Sequence, residues 1–281
     1  MKRQAITLSL LIVAILIAAV FVWVLQPKTT QIPSPLAIIN GGAASSTESS
    51  PTTPSETGIP YIEIINSCGP YYDGTCVNMR SGPGTQYPSI LELRTGIVLK
   101  VDATVTSNGQ TWYKVDPGSG IRYPERVTSD WYVSADFANL FYNIGDQELE
   151  KGKNATTTKK IIVDIGKQML YAYDGNTLFM QESVSTGLPD TPTPHGTFEV
   201  FRKTPSRYMQ GPVPGVSDQY YDLPGVPWDL YFTQDGGAIH GTYWHNHFGE
   251  EWSHGCVNLP LDAAQKLYQW APLGTPVTVI D

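Results

Sequence analysis

The sequence predicts a mainly β protein: an apolar N-terminal helix, then a small barrel, then a larger β domain with one C-terminal helix. Three observations carry this reading. Gly and Pro number 26 and 22, and breakers at that frequency leave room for many turns and few long helices. Tyr, Thr and Val recur in short alternating runs bounded by turn residues, the pattern of half-buried strands. Beyond the N-terminal run, only Pro260–Ala271 repeats its apolar residues (Ala263, Leu267, Trp270) at helical spacing.

Residues 1–4 carry Lys2 and Arg3, and an uncharged apolar run follows from Ala5 to Leu25. At about 1.5 Å per residue this run crosses a hydrocarbon core of about 30 Å. The preceding basic pair keeps the N-terminus cytoplasmic and places the rest of the chain outside a cell membrane crossed once. The alternative is a cleaved export signal, whose apolar region is shorter, roughly 7–15 residues, and ends in small residues. Here the run ends Phe21-Val22-Trp23-Val24-Leu25.

Residues 26–60 are rich in Pro, Ser, Thr and Gly and bury too little apolar area to fold, so they read as a flexible linker. Residues 61–143 contain Tyr61–Ile65, Ile97–Val101, Trp112–Val115 and Trp131–Val133, strand-like runs that predict the small barrel. Residues 144–159 are polar and read as a second linker. Residues 160–281 return to strands, with a Gly175-Asn176 turn, the helix, and a closing strand Pro276–Ile280. The net charge of −8 excludes a nucleic-acid partner, which needs a basic footprint.

The chain has three cysteines. Cys68 and Cys76 sit in one predicted domain, and outside the cytoplasm they can pair; three unrelated thiols is the other reading. Pairing leaves Cys256 as a lone thiol. All five His residues (His195, His240, His245, His247, His254) lie in the last domain with it. A thiol attacks as thiolate, so a nearby imidazole is expected to lower the Cys256 pKa. Gly255 allows close backbone approach, and successive N–H groups there suit an oxyanion. Zinc is the chemical rival, but His240, His245 and His247 lack the helical two-His spacing of a metalloprotease. No cofactor is expected.

Two resemblances add to this. Val77-Asn78-Met79-Arg80-Ser81-Gly82-Pro83-Gly84, followed by Thr111-Trp112-Tyr113-Lys114-Val115, resembles the bacterial Src-homology-3-like domain, departing from it in the Ser67–Cys76 loop and the Pro117–Thr128 insertion. That family implies wall or peptide binding; a spacer without ligand is the alternative. Ile239-His240-Gly241-Thr242, then Ser253-His254-Gly255-Cys256-Val257-Asn258, with Val184–Gly187 and Thr191–Phe198 upstream, is similar to the signature of the L,D-transpeptidase (YkuD-type) catalytic domain. It departs at His195, which receives no role. The resemblance implies a β-sandwich, Cys256 as nucleophile, and His240 as base oriented by a carbonyl at Gly241. It implies an oxyanion hole from the Gly255 and Cys256 N–H groups, with His254 in support, Ser253 capping the loop and Asn258 bracing it. Trp244, His245, His247 and Trp252 are expected at the cleft rim or in solvent.

The function so implied is acyl transfer on peptidoglycan stem peptides: a Cys256 thioester, release of D-alanine, and capture by an amine of a second stem. The alternatives are capture by water, as an L,D-carboxypeptidase, and a non-catalytic wall-binding module. Carbapenem-type lactams are the implied inhibitors.

Overall fold

Alternating apolar and polar side chains build three sheets. The computed structural model describes residues 57–118, 120–150, 152 and 156–281, all within one unit spanning Pro51–Asp281. The helix expected over residues 5–25 lies outside the described residues. Among those described, no helix is long and apolar enough to cross a membrane.

The first sheet holds β1 (Ile59–Ile64), β2 (Val77–Arg80), β3 (Ser89–Leu93), β4 (Val98–Ser107), β5 (Gln110–Asp116), β6 (Trp131–Ser134) and β7 (Ala138–Asn143). The small barrel expected here is seen as this single antiparallel sheet, ordered β3-β2-β6-β5-β4-β1-β7. The insertion between β5 and β6 contains a short 3-10 turn, Pro124–Arg126.

The second sheet is ordered β11-β10-β9-β17-β12, from β9 (Lys159–Asp164), β10 (Met169–Asp174), β11 (Thr177–Ser183), β12 (Gly196–Glu199) and β17 (Pro276–Ile280). β17 shows the alternation plainly, with Val277 and Val279 buried between exposed ends. The third sheet is ordered β16-β15-β14-β13-β8, from β8 (Gln147–Glu148), β13 (Arg202–Val213), β14 (Ser217–Tyr231), β15 (Ala238–Gly241) and β16 (Val257–Leu259). β15 and β16 are parallel, as are β9 and β17. β8 comes from the segment read as a second linker. Its pairing with β13, and a Leu149 N–H bond to the Phe201 carbonyl at 2.7 Å, give that segment backbone partners that composition does not reveal.

The one α-helix among the described residues, α1 (Leu261–Trp270), buries Ala263, Ala264, Leu267 and Tyr268. Pro260 is its N-cap rather than its first helical residue, with an extended ψ of 146°. At its other end the buried Lys203 Nζ donates to the carbonyls of Tyr268 (2.8 Å) and Ala271 (2.7 Å), orphan acceptors of the last turn. Burial, and then the Lys159 charge, push the Lys203 pKa down to about 8.

The first sheet does not stand apart from the rest. Tyr61 and Val98 lie in the same buried cluster as Ile161, Leu230, Val257 and Leu267. Tyr208, Val226 and Tyr243 in turn complete the core around Ile62, Met79 and Trp131. The backbones come close at Gly225, with φ +63°, where a Cβ would meet the Val98 carbonyl oxygen at 2.4 Å; no other residue fits.

Candidate active site

The site forms where β15 and β16 lie side by side. Their parallel register pairs Ile239 with Val257 and His240 with Asn258, which brings Cys256, at the entry to β16, beside the start of β15. The Ala238 backbone N–H donates to the Cys256 sulfur. His240 is 2% exposed, and its Nδ1 lies 3.0 Å from the Gly241 carbonyl oxygen. A carbonyl only accepts, so Nδ1 carries the ring proton and Nε2 keeps the lone pair of a base. This is the His240–Gly241 arrangement the motif implied.

The electrostatics differ from the sequence expectation. Cys256 is half-buried as a residue, yet desolvation of its sulfur pushes the thiol up to about 11. The Ala238 N–H offsets part of this, while the charge of Asp235 adds to it. Desolvation likewise drives His240 down to about 4, against the raising effect of the Gly241 bond. The resting pair is therefore neutral thiol and neutral imidazole, not a thiolate with a lowered pKa. The physical reason is that both partners are withdrawn from water, which penalises the ion-pair form.

The loop carrying Cys256 is held by short polar side chains. Ser253 Oγ donates to the Cys256 carbonyl at 2.5 Å and accepts the Gly255 N–H at 3.1 Å, which closes the loop on itself. The Gly255 N–H, expected to serve an oxyanion, is thus engaged by Ser253. Thr193 Oγ1 accepts the Gly187 N–H (2.9 Å) and donates to the Gly255 carbonyl (3.0 Å). The Leu188 N–H and Thr191 Oγ1 both reach the Ser253 carbonyl. Ser185 and Asn258 exchange two backbone bonds, and Gln168 holds Thr186 through its amide.

The loop between His240 and Ser253 corrects the rim expectation for His245. That ring is buried, and its Nδ1 accepts the His247 N–H at 3.2 Å. Its proton then sits on Nε2, 2.8 Å from the Asn258 amide. The contact requires Asn258 to present its oxygen, and that orientation also partners an oxygen otherwise buried alone. Burial, followed by the neighbouring His247 and His240, pushes His245 down to about 4, so it is a neutral strut. Trp244 lies 5.8 Å from the His240 ring, centroid to centroid. Trp252 is 46% exposed and stacks on His247 at 3.8 Å. His195 stands elsewhere, 3.5 Å from Asp281.

Three contributors had no sequence signal. Gln219 and Tyr221, on β14, meet His254: the Gln219 Oε1 lies 2.6 Å from His254 Nε2, and the Tyr221 ring stacks on the imidazole at 5.7 Å. Burial raises the Tyr221 pKa. Burial lowers the pKa of His254. The third is Asp229. Tyr231 lies opposite Ala238 across β14 and β15, and residues two apart share a face, so Asp229 and His240 stand on one face of the sheet. Both Asp229 carboxyl oxygens are buried without a hydrogen-bond partner, and burial holds its pKa well above the carboxylate range. Among the described residues, no three His, Cys, Asp or Glu side chains converge as a metal cluster would.

Residues 158–279 match the family model of the L,D-transpeptidase catalytic domain, YkuD type. The Bacillus subtilis (strain 168) protein YqjB, named as a candidate L,D-transpeptidase, is 32% identical over 108 residues. The match takes in 35% of this chain and 58% of that relative's length. Among solved structures, a Mycobacterium smegmatis L,D-transpeptidase is 21% identical, with 61% of this chain and 91% of that one covered at a TM-score of 0.42. An Enterococcus faecium L,D-transpeptidase, solved as a cysteine-to-serine mutant, is 27% identical, covering 44% of this chain and 50% of that one at a TM-score of 0.40.

Proposed function

We propose that the chain is a cell-wall L,D-transpeptidase in which Cys256 carries a thioester. The observation that supports this most directly is the Nδ1 bond of His240 to the Gly241 carbonyl, which leaves Nε2 free as a base on the strand beside Cys256. The Cys256 proton passes to His240 Nε2 as sulfur attacks the carbonyl of the third residue of a stem peptide. The tetrahedral intermediate collapses, the carbon–nitrogen bond breaks, and His240 protonates the departing D-alanine amine. An amine of a second stem then attacks the thioester. His240 takes its proton, the carbon–sulfur bond breaks, and the thiol is re-formed. The neutral resting pair suits this order, because charge separates only when the substrate is in place.

The apolar run 5–25 preceded by Lys2 and Arg3 supports a single membrane anchor with the catalytic domain outside. The Asn78-Met79-Arg80-Ser81-Gly82-Pro83 turn and the Trp112 strand support a Src-homology-3-like reading of the first sheet, with wall peptide as its ligand. A strained lactam of the carbapenem class is an acyl donor for the same thiol and should leave an adduct on Cys256 alone, since Cys68 and Cys76 are bonded to each other.

The test is incubation of the full chain with a tetrapeptide stem and an amine acceptor, read by mass spectrometry. D-alanine release with a joined product supports the transferase. Release without joining assigns the L,D-carboxypeptidase activity instead, and no release with an unmodified Cys256 assigns a binding module.

A further inference from the structure

The β13–β14 hairpin runs past the edge of its own sheet. From Arg207 to Tyr221 its two strands pair only with each other, and the tip closes with a Val216 N–H bond to the Val213 carbonyl. A two-stranded ribbon is marginal in water by itself. This one is held from two sides. On one side Gln219 and Tyr221 engage His254. On the other side Tyr208 packs edge-on against Trp131 of β6, and the polar support comes from the insertion between β5 and β6.

Arg126 is the centre of that support. Its Nη2 donates to the Gly211 carbonyl at 2.9 Å, on β13. Its Nη1 donates to the Tyr221 carbonyl at 3.3 Å and lies 3.6 Å from an Asp222 carboxyl oxygen, on β14. The guanidinium thus ties both strands of the ribbon, and it also packs over the Tyr220 ring at 4.3 Å. The side chains of the Arg126–Asp222 pair are only 17% and 18% exposed, so solvent screens it far less than a surface pair. Tyr123 adds an Oη bond to the Pro212 carbonyl (2.7 Å) and a backbone N–H bond to Gln210 (2.8 Å). A planar fork is what this geometry uses, since two separate nitrogens reach carbonyls on the two strands of the ribbon.

Tyr221 joins the two sides. Its carbonyl is held by Arg126, and its ring lies on His254, two residues from Cys256. We propose that Arg126 is a positioning residue for the cysteine site: the N-terminal sheet, through its inserted loop, sets the ribbon that forms one wall of the cleft and orients His254. The first sheet is then a working part of the catalytic unit and not only a tether or wall-binding module.

The test compares the full chain with its Arg126→Ala and Arg126→Lys variants. Amide exchange over residues 209–222 should speed up about tenfold in Arg126→Ala, while exchange in β9 stays unchanged. The His254 ring, followed by NMR, should titrate closer to the ordinary histidine value. With a stem peptide, KM should rise about tenfold while kcat changes less than about threefold, a split that a general loss of stability does not produce. Arg126→Lys, which keeps the charge, should behave like Arg126→Ala. Unchanged exchange at 209–222 and an unchanged His254 titration in both variants would overturn the proposal. The KM arm rests on the transpeptidase reading. If the wild-type chain turns over no stem peptide, that reading fails while exchange and titration still judge Arg126.

Discussion

The two cysteine-bearing loops of this protein are built on opposite plans. Cys68 and Cys76 form a disulfide that closes a short loop, and Tyr71 and Tyr72 within it are 54% and 45% exposed. The Cys256 loop has no covalent staple. It is tied by Ser253, Thr191, Thr193 and the Ser185–Asn258 backbone pair, and Cys256 is a free thiol. A loop whose sulfur is consumed by a crosslink can leave its side chains in water, because the bond restrains the chain. A loop whose sulfur must react has to be restrained by hydrogen bonds instead, and such bonds hold best where water is excluded. That exclusion is also what leaves Cys256 and His240 neutral at rest.

The comparison is broken most directly at the thiol. Cys256→Ala should abolish D-alanine release from a stem peptide while the unfolding midpoint stays within a few degrees. Turnover at the wild-type rate would remove Cys256 from the chemistry. Next in size is His240→Ala, which should lower kcat/KM by roughly 10²–10⁴, the range for a positioned acid–base group. His254→Ala should cost less, and a reversed order would exchange their roles.

Alkylation sharpens the electrostatic side of the contrast. With the thiol pushed up to about 11 and His240 down to about 4, little thiolate exists near neutrality in the free protein. The iodoacetamide rate at Cys256 should climb about tenfold per pH unit from pH 7 toward 10. A plateau beginning between pH 4 and 7 would show a resting ion pair instead.

Smaller effects belong to stability. Removing the disulfide in a Cys68→Ala, Cys76→Ala double variant should cost about 2–3 kcal/mol, the chain-entropy expectation for so short a loop, with kcat nearly unchanged. A large loss of kcat at full folding would mean the stapled loop reaches the site. Asp229→Asn should stabilise the protein at neutral pH. The folded pKa of Asp229 is raised, so its burial is harmless below the unfolded carboxylate value of about 3.9. Above that pH the unfolded chain ionises while the folded one holds its proton, and stability falls as pH rises. The gain from Asn should therefore vanish near pH 3 in denaturant titrations. A gain that is the same at both pH values would mean Asp229 is ionised in the fold.

The chain by itself determined the β class, the helix near 261–270, and the pairing of His240 and Gly241 with Cys256. Strand alternation and a contiguous motif are local, and local patterns survive in a linear string. Ser253 as the cap of its loop was implied by the motif resemblance, and its Oγ bonds the Cys256 carbonyl three residues on. Tertiary structure alone decided the rest. The thiol and imidazole pKa values depend on how much protein surrounds them, which no motif encodes. His245 became a buried strut because Asn258 folds back on it across the loop. Asp229, Gln219 and Tyr221 joined the site through the register of β14, and Arg126 reached it from the first sheet across 95 residues of sequence. Contacts at that separation follow from how sheets pack, and packing is settled only when the whole chain has found its core.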